Sequence, residues 1–171
     1  PHIIMSRGFV REGDQEEVPM VPKRAYLPEG VPNFVTPAGM EQLLAEKHQL
    51  VSERDNVVAI NENERRIEVN FINAKLQLLE SRIADARLID PVGQSPDEIR
   101  FGATITLKIA TTGKIRIFQI VGVDEADISK GKISFISPLA RVLMNRKAGD
   151  KVALNREKGE SVFEVVKIEY R

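Results

Sequence analysis

Apolar residues along the chain change period twice, and the changes divide it into three stretches. Thr36-Pro37 reads as a helix start: a threonine N-cap followed by a proline whose missing N–H costs nothing in the first turn. Apolar pairs then recur every seven residues, at Leu43-Leu44, Leu50-Val51 and Val57-Val58, with Lys47 and Arg54 between them. That spacing predicts a long amphipathic helix running through Val58. Polar residues dominate from Asn61 to Arg66 and predict a tip, after which Val69, Ile72, Leu76, Leu79, Ile83 and Ala86 follow at spacings of three and four. Two facing apolar seams make an antiparallel hairpin, with arms of about 25 residues or 37 Å at the helical rise.

After Pro91-Val92-Gly93 the period drops to two. Ile105, Leu107 and Ile109 alternate with Thr104, Thr106 and Lys108, and Thr112-Gly113 turns the chain into a strand from Lys114 to Val123. A short strand fits Lys132 to Ile136, and Ser137-Pro138 repeats the cap signal before a helix from Leu139 to Asn145. Lys151 to Asn155 and Ser161 to Tyr170 form a last strand pair around Glu157-Lys158-Gly159-Glu160. The expected fold is α+β: a helical hairpin over residues 36–90 followed by an antiparallel sheet domain with one short helix over residues 91–171.

Residues 1–35 show no sustained apolar period. Pro19, Pro22, Pro28 and Pro32, a Gly13-Asp14 pair and the acidic Glu16-Glu17 read as an extended or disordered arm. Pro1 to Ile4 precede Met5, the first plausible initiator, and are left out of fold reasoning.

Composition narrows the function more by exclusion than by promise. With no cysteine among 171 residues there is no disulfide framework, thiol nucleophile or cysteine-ligated zinc, and a cytoplasmic location is the expectation. Neither a membrane span nor a secretory leader is expected from the apolar runs. His2 and His48 are too far apart in sequence to suggest a metal or triad pair, and His48 reads as a solvated helix residue. P-loop, dinucleotide, nucleophile-elbow and zinc-protease signatures are all missing, so a stand-alone enzyme is not expected.

Net charge is zero, but its distribution is uneven. Residues 36–90 carry 7 basic and 10 acidic side chains, and residues 91–171 carry 14 and 10, so a negative rod joins a positive body. Arg141, Arg146 and Lys147 lead the basic excess and suit either contact with a phosphate backbone or plain solvation. At the tip, Glu62, Glu64 and Glu68 with Asn61 and Asn63 offer hard oxygen ligands for a divalent cation; a wet helical turn would have the same composition.

Four blocks carry a family resemblance: Phe101-Gly102-Ala103-Thr104; Ile120-Val121-Gly122-Val123-Asp124-Glu125-Ala126-Asp127; Ile136-Ser137-Pro138-Leu139-Ala140-Arg141; and Phe163-Glu164-Val165-Val166-Lys167-Ile168-Glu169-Tyr170. With Thr36-Pro37-Ala38-Gly39 and Ala86-Arg87-Leu88-Ile89-Asp90 they resemble the bacterial Gre transcript-cleavage factors over residues 36–171. The resemblance implies a coiled coil followed by an FKBP-like domain without isomerase activity. It implies that the globular domain docks at the rim of RNA polymerase's secondary channel while the coiled coil enters it. The family's tip acids help hold a magnesium ion in the polymerase active site, so the polymerase remains the enzyme.

Carried over residue by residue, the docking surface falls on Asp124, Glu125, Asp127, Ser137 and Pro138, and the catalytic role on Glu62 and Glu64, with Glu62 as the magnesium ligand. The family tip reads Asp-x-x-Glu-Asn; matching Glu62-Asn63 puts Ala59 at the aspartate position. The arms are also shorter by about two turns each, or about 10 Å of reach, and weak or absent cleavage is expected. The implied partners are RNA polymerase and the nascent RNA or DNA of its elongation complex, where Arg141, Arg146 and Lys147 would act. No tightly bound cofactor is expected beyond magnesium shared with the polymerase, and the chain is expected to be a monomer away from membranes. The function the resemblance implies is a polymerase-binding elongation factor that stimulates cleavage of backtracked RNA through Glu62 and Glu64; the alternative is a channel-binding regulator without cleavage stimulation, and an isomerase or chaperone module ranks third, having few aromatics to line a proline pocket.

Overall fold

A computed structural model describes residues 19–171. The first half of the arm, including His2, Met5, Gly13-Asp14 and Glu16-Glu17, lies outside the described residues. The hairpin consists of α1 (Pro37–Asp55) and α2 (Glu62–Ala84), and short strands close its base. Strand β1 (Asn33–Val35) pairs in parallel with β2 (Ala86–Leu88), Asn33 opposite Ala86 and Val35 opposite Leu88. The remaining strands are β3 (Thr104–Ile109), β4 (Ile115–Val121), β5 (Lys132–Ser134), β6 (Lys151–Arg156) and β7 (Gly159–Glu169). They form one sheet in the order β5-β4-β3-β7-β6, with α3 (Pro138–Leu143) between β5 and β6 in the chain.

Helix α1 begins as the sequence predicts: the Thr36 hydroxyl accepts from the Gly39 N–H at 3.0 Å, and proline follows the cap. It ends a turn earlier than the heptad pattern indicates. Asn56 closes the last turn, its amide donating to the Ser52 carbonyl at 2.7 Å, so Val57 and Val58 fall in the tip loop. Val57 folds back into the seam with Leu43, Leu50, Ile72, Leu76 and Leu79, whereas Val58 is 91% exposed. Helix α2 starts earlier than expected for a reciprocal reason. Asn61 is its N-cap, accepting from the Glu64 N–H at 2.9 Å, while the Glu64 carboxylate reaches back to the Ile60 N–H at 3.1 Å. The polar run after Asn61 is therefore the first turn of a helix that is wet on every side, and the tip is residues 56–61.

In the sheet domain β3, β4, β6 and β7 pair antiparallel, with β7 between β3 and β6. One pairing departs from the antiparallel expectation: β5 runs parallel to β4, Gln119 opposite Lys132. The chain makes that return through a single 3-10 turn, Ile128–Lys130, and Gly131 at φ 70°. A side chain on Gly131 would meet the Ile117 carbonyl oxygen at 2.7 Å as well as a left-handed backbone, so glycine is required there. The core is built from Ile105, Leu107, Ile120 and Val165 on the strands and from Ala140 and Leu143 on α3. Asn145 at φ 66° follows α3 two residues after its end, so the helix is shorter than the sequence indicates.

The two halves meet at β1, whose Phe34 ring lies 5.7 Å from Phe101 and 5.5 Å from Phe135 in the sheet domain. Gly122 permits that approach: a Cβ there would sit 2.5 Å from the Phe34 carbonyl oxygen. Strands β1 and β2 are both absent from the sequence expectation, which assigns residues 33–35 to the arm and Ala86 to the helix. Their pairing fastens the point where the chain enters the hairpin to the point where it leaves, with the Ile89 N–H donating to Val35 at 2.8 Å.

Candidate functional site

The residues singled out in the sequence fall in three groups: the hairpin tip, the acidic turn with the Ser137-Pro138 corner, and the basic edge on and after α3. Tip and turn are far apart, because Glu62 opens α2 and Arg82, which touches the turn, closes it. Twenty residues of helix separate them by about 30 Å.

At the tip, Glu64 is committed to the helix cap described above. Glu62 is 94% exposed and lies 3.9 Å from Arg65 on the next turn, a separation that leaves its carboxylate solvated. Asp55 ends α1 and pairs with its neighbour Arg54 at 3.5 Å. Val58 and Ile60, both 91% exposed, lie in the loop between the helices that carry these acids. Among the described residues no group of three or more histidine or acidic side chains could hold a metal ion. None of the tip acids is grouped with two others, so a cation held by any of them would take most of its ligands from elsewhere.

The acidic turn is organised differently from the open docking surface that its sequence suggests. Asp124 is 9% exposed and engaged on both oxygens: Oδ1 lies 3.2 Å from Arg24, and Oδ2 lies 3.3 Å from Arg82 on α2. Arg24 also pairs with Glu46 of α1 at 2.7 Å, and Arg82 donates to the Ala25 carbonyl at 2.8 Å. Glu125 is buried, its side chain 2% exposed, where it accepts from the Thr36 hydroxyl and pairs with Lys132 at 3.2 Å. A Cβ on Gly39 would lie 2.7 Å from that carboxylate, so the Thr36-Pro37-Ala38-Gly39 start of α1 is shaped around Glu125. Asp127 caps the 3-10 turn by accepting from the Ser129 hydroxyl at 2.6 Å and its N–H at 3.0 Å. The Ser129 hydroxyl bond, more than any charge nearby, holds the Asp127 carboxyl below its ordinary range.

Ser137 caps α3, accepting from the Ala140 N–H at 3.3 Å, with Pro138 exposed beside it. The Phe135 N–H donates to Val121 at 2.9 Å, which brings this corner to the end of β4 from which the acidic turn departs. Residues 122–125 and the Ser137-Pro138 corner follow the ends of β4 and β5, whereas Asp127 bridges back to Lys132 at the starting end of β5. Arg141 and Arg146 lie exposed on and just after α3, and Lys147 opens a turn in which its N–H donates to Asp150 at 2.8 Å. Sequence reasoning missed Arg24, Glu46, Arg82 and Lys132. No local signal marks them, since Arg24 and Arg82 stand 100 and 42 residues from Asp124.

The hairpin is thus fastened at its base to a curled mixed sheet, with an acidic turn at the joint. The family model for the C-terminal domain of transcription elongation factors GreA/GreB matches residues 94–170. Transcription elongation factor GreB of Neisseria meningitidis serogroup B is 36% identical over 156 residues, covering 81% of this chain and 94% of that protein. GreA of Thioalkalivibrio sulfidiphilus is 36% identical over 152 residues, covering 80% and 96%. The solved structure of GreA factor homolog 1 from Thermus thermophilus aligns with a TM-score of 0.39 at 22% identity, covering 81% of this chain and 99% of that one. On the strength of the sequence relatives, the chain belongs to the GreA/GreB family of transcription elongation factors. Among the described residues no helix is long and apolar enough to cross a membrane.

Proposed function

We propose that this elongation factor binds RNA polymerase at the rim of the secondary channel through the 124–127 turn and the Ser137-Pro138 corner, and that its hairpin occupies the channel without supplying cleavage chemistry. The observation that carries this reading is the donor set at the tip. Glu64 is spent on the cap, Ala59 stands where the family pattern has aspartate, and the loop between the helices presents Val58 and Ile60. Such a tip obstructs and excludes; it does not grip a cation. Arg141, Arg146 and Lys147 form a basic edge suited to nearby nucleic acid, and polymerase remains the enzyme.

A second reading keeps cleavage, because Glu62 is free enough to join a magnesium ion whose other ligands are polymerase carboxylates and RNA phosphates. The two separate in one assay. Purified protein is added to stalled, backtracked complexes of the cognate polymerase with magnesium, and both RNA cleavage and nucleotide addition are followed for wild type and Glu62→Ala. Slowed nucleotide addition that is indifferent to the substitution supports channel occupation. Rapid cleavage abolished by Glu62→Ala supports the second reading and overturns the first.

A further inference from the structure

The carboxylate proposed to meet polymerase is already occupied by an arginine of this chain's own arm. Arg24 bridges Glu46 and Asp124 at 2.7 and 3.2 Å, with its side chain 19% exposed. Arg82 takes the other Asp124 oxygen. Each oxygen of this carboxylate faces a guanidinium of the chain itself, so a basic group arriving from outside competes with Arg24 for the same carboxylate.

The two arginines differ in how firmly they are held. Arg82 sits in the last turn of a 23-residue helix whose seam is buried. Arg24 lies on residues 19–32, which contain no helix or strand before β1. Met20 and Tyr26 are 94% and 75% exposed, Val21, Leu27 and Val31 are half-buried, and no residue of the segment belongs to either core cluster, so the Arg24 ion pairs and the Arg82 bond to Ala25 are the polar ties that fasten it. It is the element that can leave without disturbing either core.

We infer that residues 19–32 are an intramolecular strap, with Arg24 holding the place on Asp124 and Glu46 that an arginine or lysine of polymerase takes on docking. The inference rests on the proposed docking turn and adds a regulatory step: the free factor is strapped shut, and binding requires exchange of one cation for another. Strapping lowers the apparent affinity by the fraction of molecules in which the arm is displaced.

The test compares full-length wild type, Arg24→Ala and Arg24→Gln for binding to core RNA polymerase, with hydrogen exchange of residues 20–30 measured free and bound. Removing an ion pair of ordinary strength should tighten binding by about fivefold, and exchange in the wild-type arm should accelerate when polymerase binds. Asp124→Asn, which keeps the side-chain shape, separates the two layers of the argument. If Asp124→Asn weakens binding while both Arg24 variants bind no more tightly than wild type, the docking turn stands and the strap is overturned. If Asp124→Asn leaves affinity unchanged, the docking turn itself falls, and the competition with it.

Discussion

Gly122→Ala tests how the two halves are joined. Gly122 is buried at the end of β4, facing the β1 backbone, and a Cβ there would stand 2.5 Å from the Phe34 carbonyl oxygen and 3.7 Å from the Val35 Cα. Carbon and carbonyl oxygen approach to about 3.3 Å in protein interiors, so β1 would have to retreat by about 0.8 Å. The obstacle is backbone, which cannot swing away as a side-chain end could. Retreat would draw Phe34 out of its contacts with Phe101 and Phe135 and loosen the β1–β2 pair. Overpacking of this kind costs about 1–3 kcal/mol, and partial loss of an aromatic's packing adds to it. We expect about 3 kcal/mol in denaturant unfolding and a Tm lower by about 6–12 °C. A loss below about 0.5 kcal/mol, with Phe34 and Phe135 resonances unmoved, would refute the steric account of the joint.

Glu125→Ala should cost about 2 kcal/mol in chemical denaturation, because it leaves the Thr36 hydroxyl and Lys132 without their buried partner; an unchanged midpoint would contradict this. Tyr170→Phe should cost about 1–2 kcal/mol, since the phenol donates to the Glu98 carbonyl at 2.6 Å and accepts from the Arg100 N–H at 2.8 Å. Burial raises the Tyr170 pKa above its ordinary 10.0. The folded state therefore holds the phenolic proton more tightly than the unfolded one, and this stability is complete below about pH 10 and lost as pH climbs through the raised value. Asp127 has the opposite sign. Its lowered pKa contributes stability above the ordinary value of 3.8 that is lost as pH falls through the lowered one, so amide exchange at Ser129 and Lys130, corrected for intrinsic rates, should accelerate in that acid range and should not do so in Asp127→Asn.

What could be read in the sequence follows the range of the forces involved. Thr36-Pro37 and Ser137-Pro138 announce their helices because capping is settled within four residues, and the alternation at Ile105, Leu107 and Ile109 is enough to identify β3. The heptad extended to Val57-Val58 misplaces the tip: Val57 does join the seam, but from a loop. Asn61 followed three residues later by Glu64 is a capping signature that marks the true start of α2, and it is overlooked when polarity alone is read. Strands β1 and β2 are three residues each, and only the closed hairpin brings them together. The acidic turn shows the same limit. Asp124 and Glu125 look alike as exposed loop acids, but one is locked between two distant arginines and the other is buried on the cap of α1.

The most direct measurement of the central claim is a cryo-electron microscopy structure of this factor on a stalled elongation complex, with the Glu62 carboxylate located relative to the catalytic magnesium. With the two turns per arm by which the resemblance implies that the hairpin is short, the proposed function places Glu62 about 10 Å from the ion, with Val58 and Ile60 against the channel wall and the sheet domain seated by its 124–127 turn. Glu62 within coordinating distance of the magnesium, or a sheet domain seated by another face, would contradict the account.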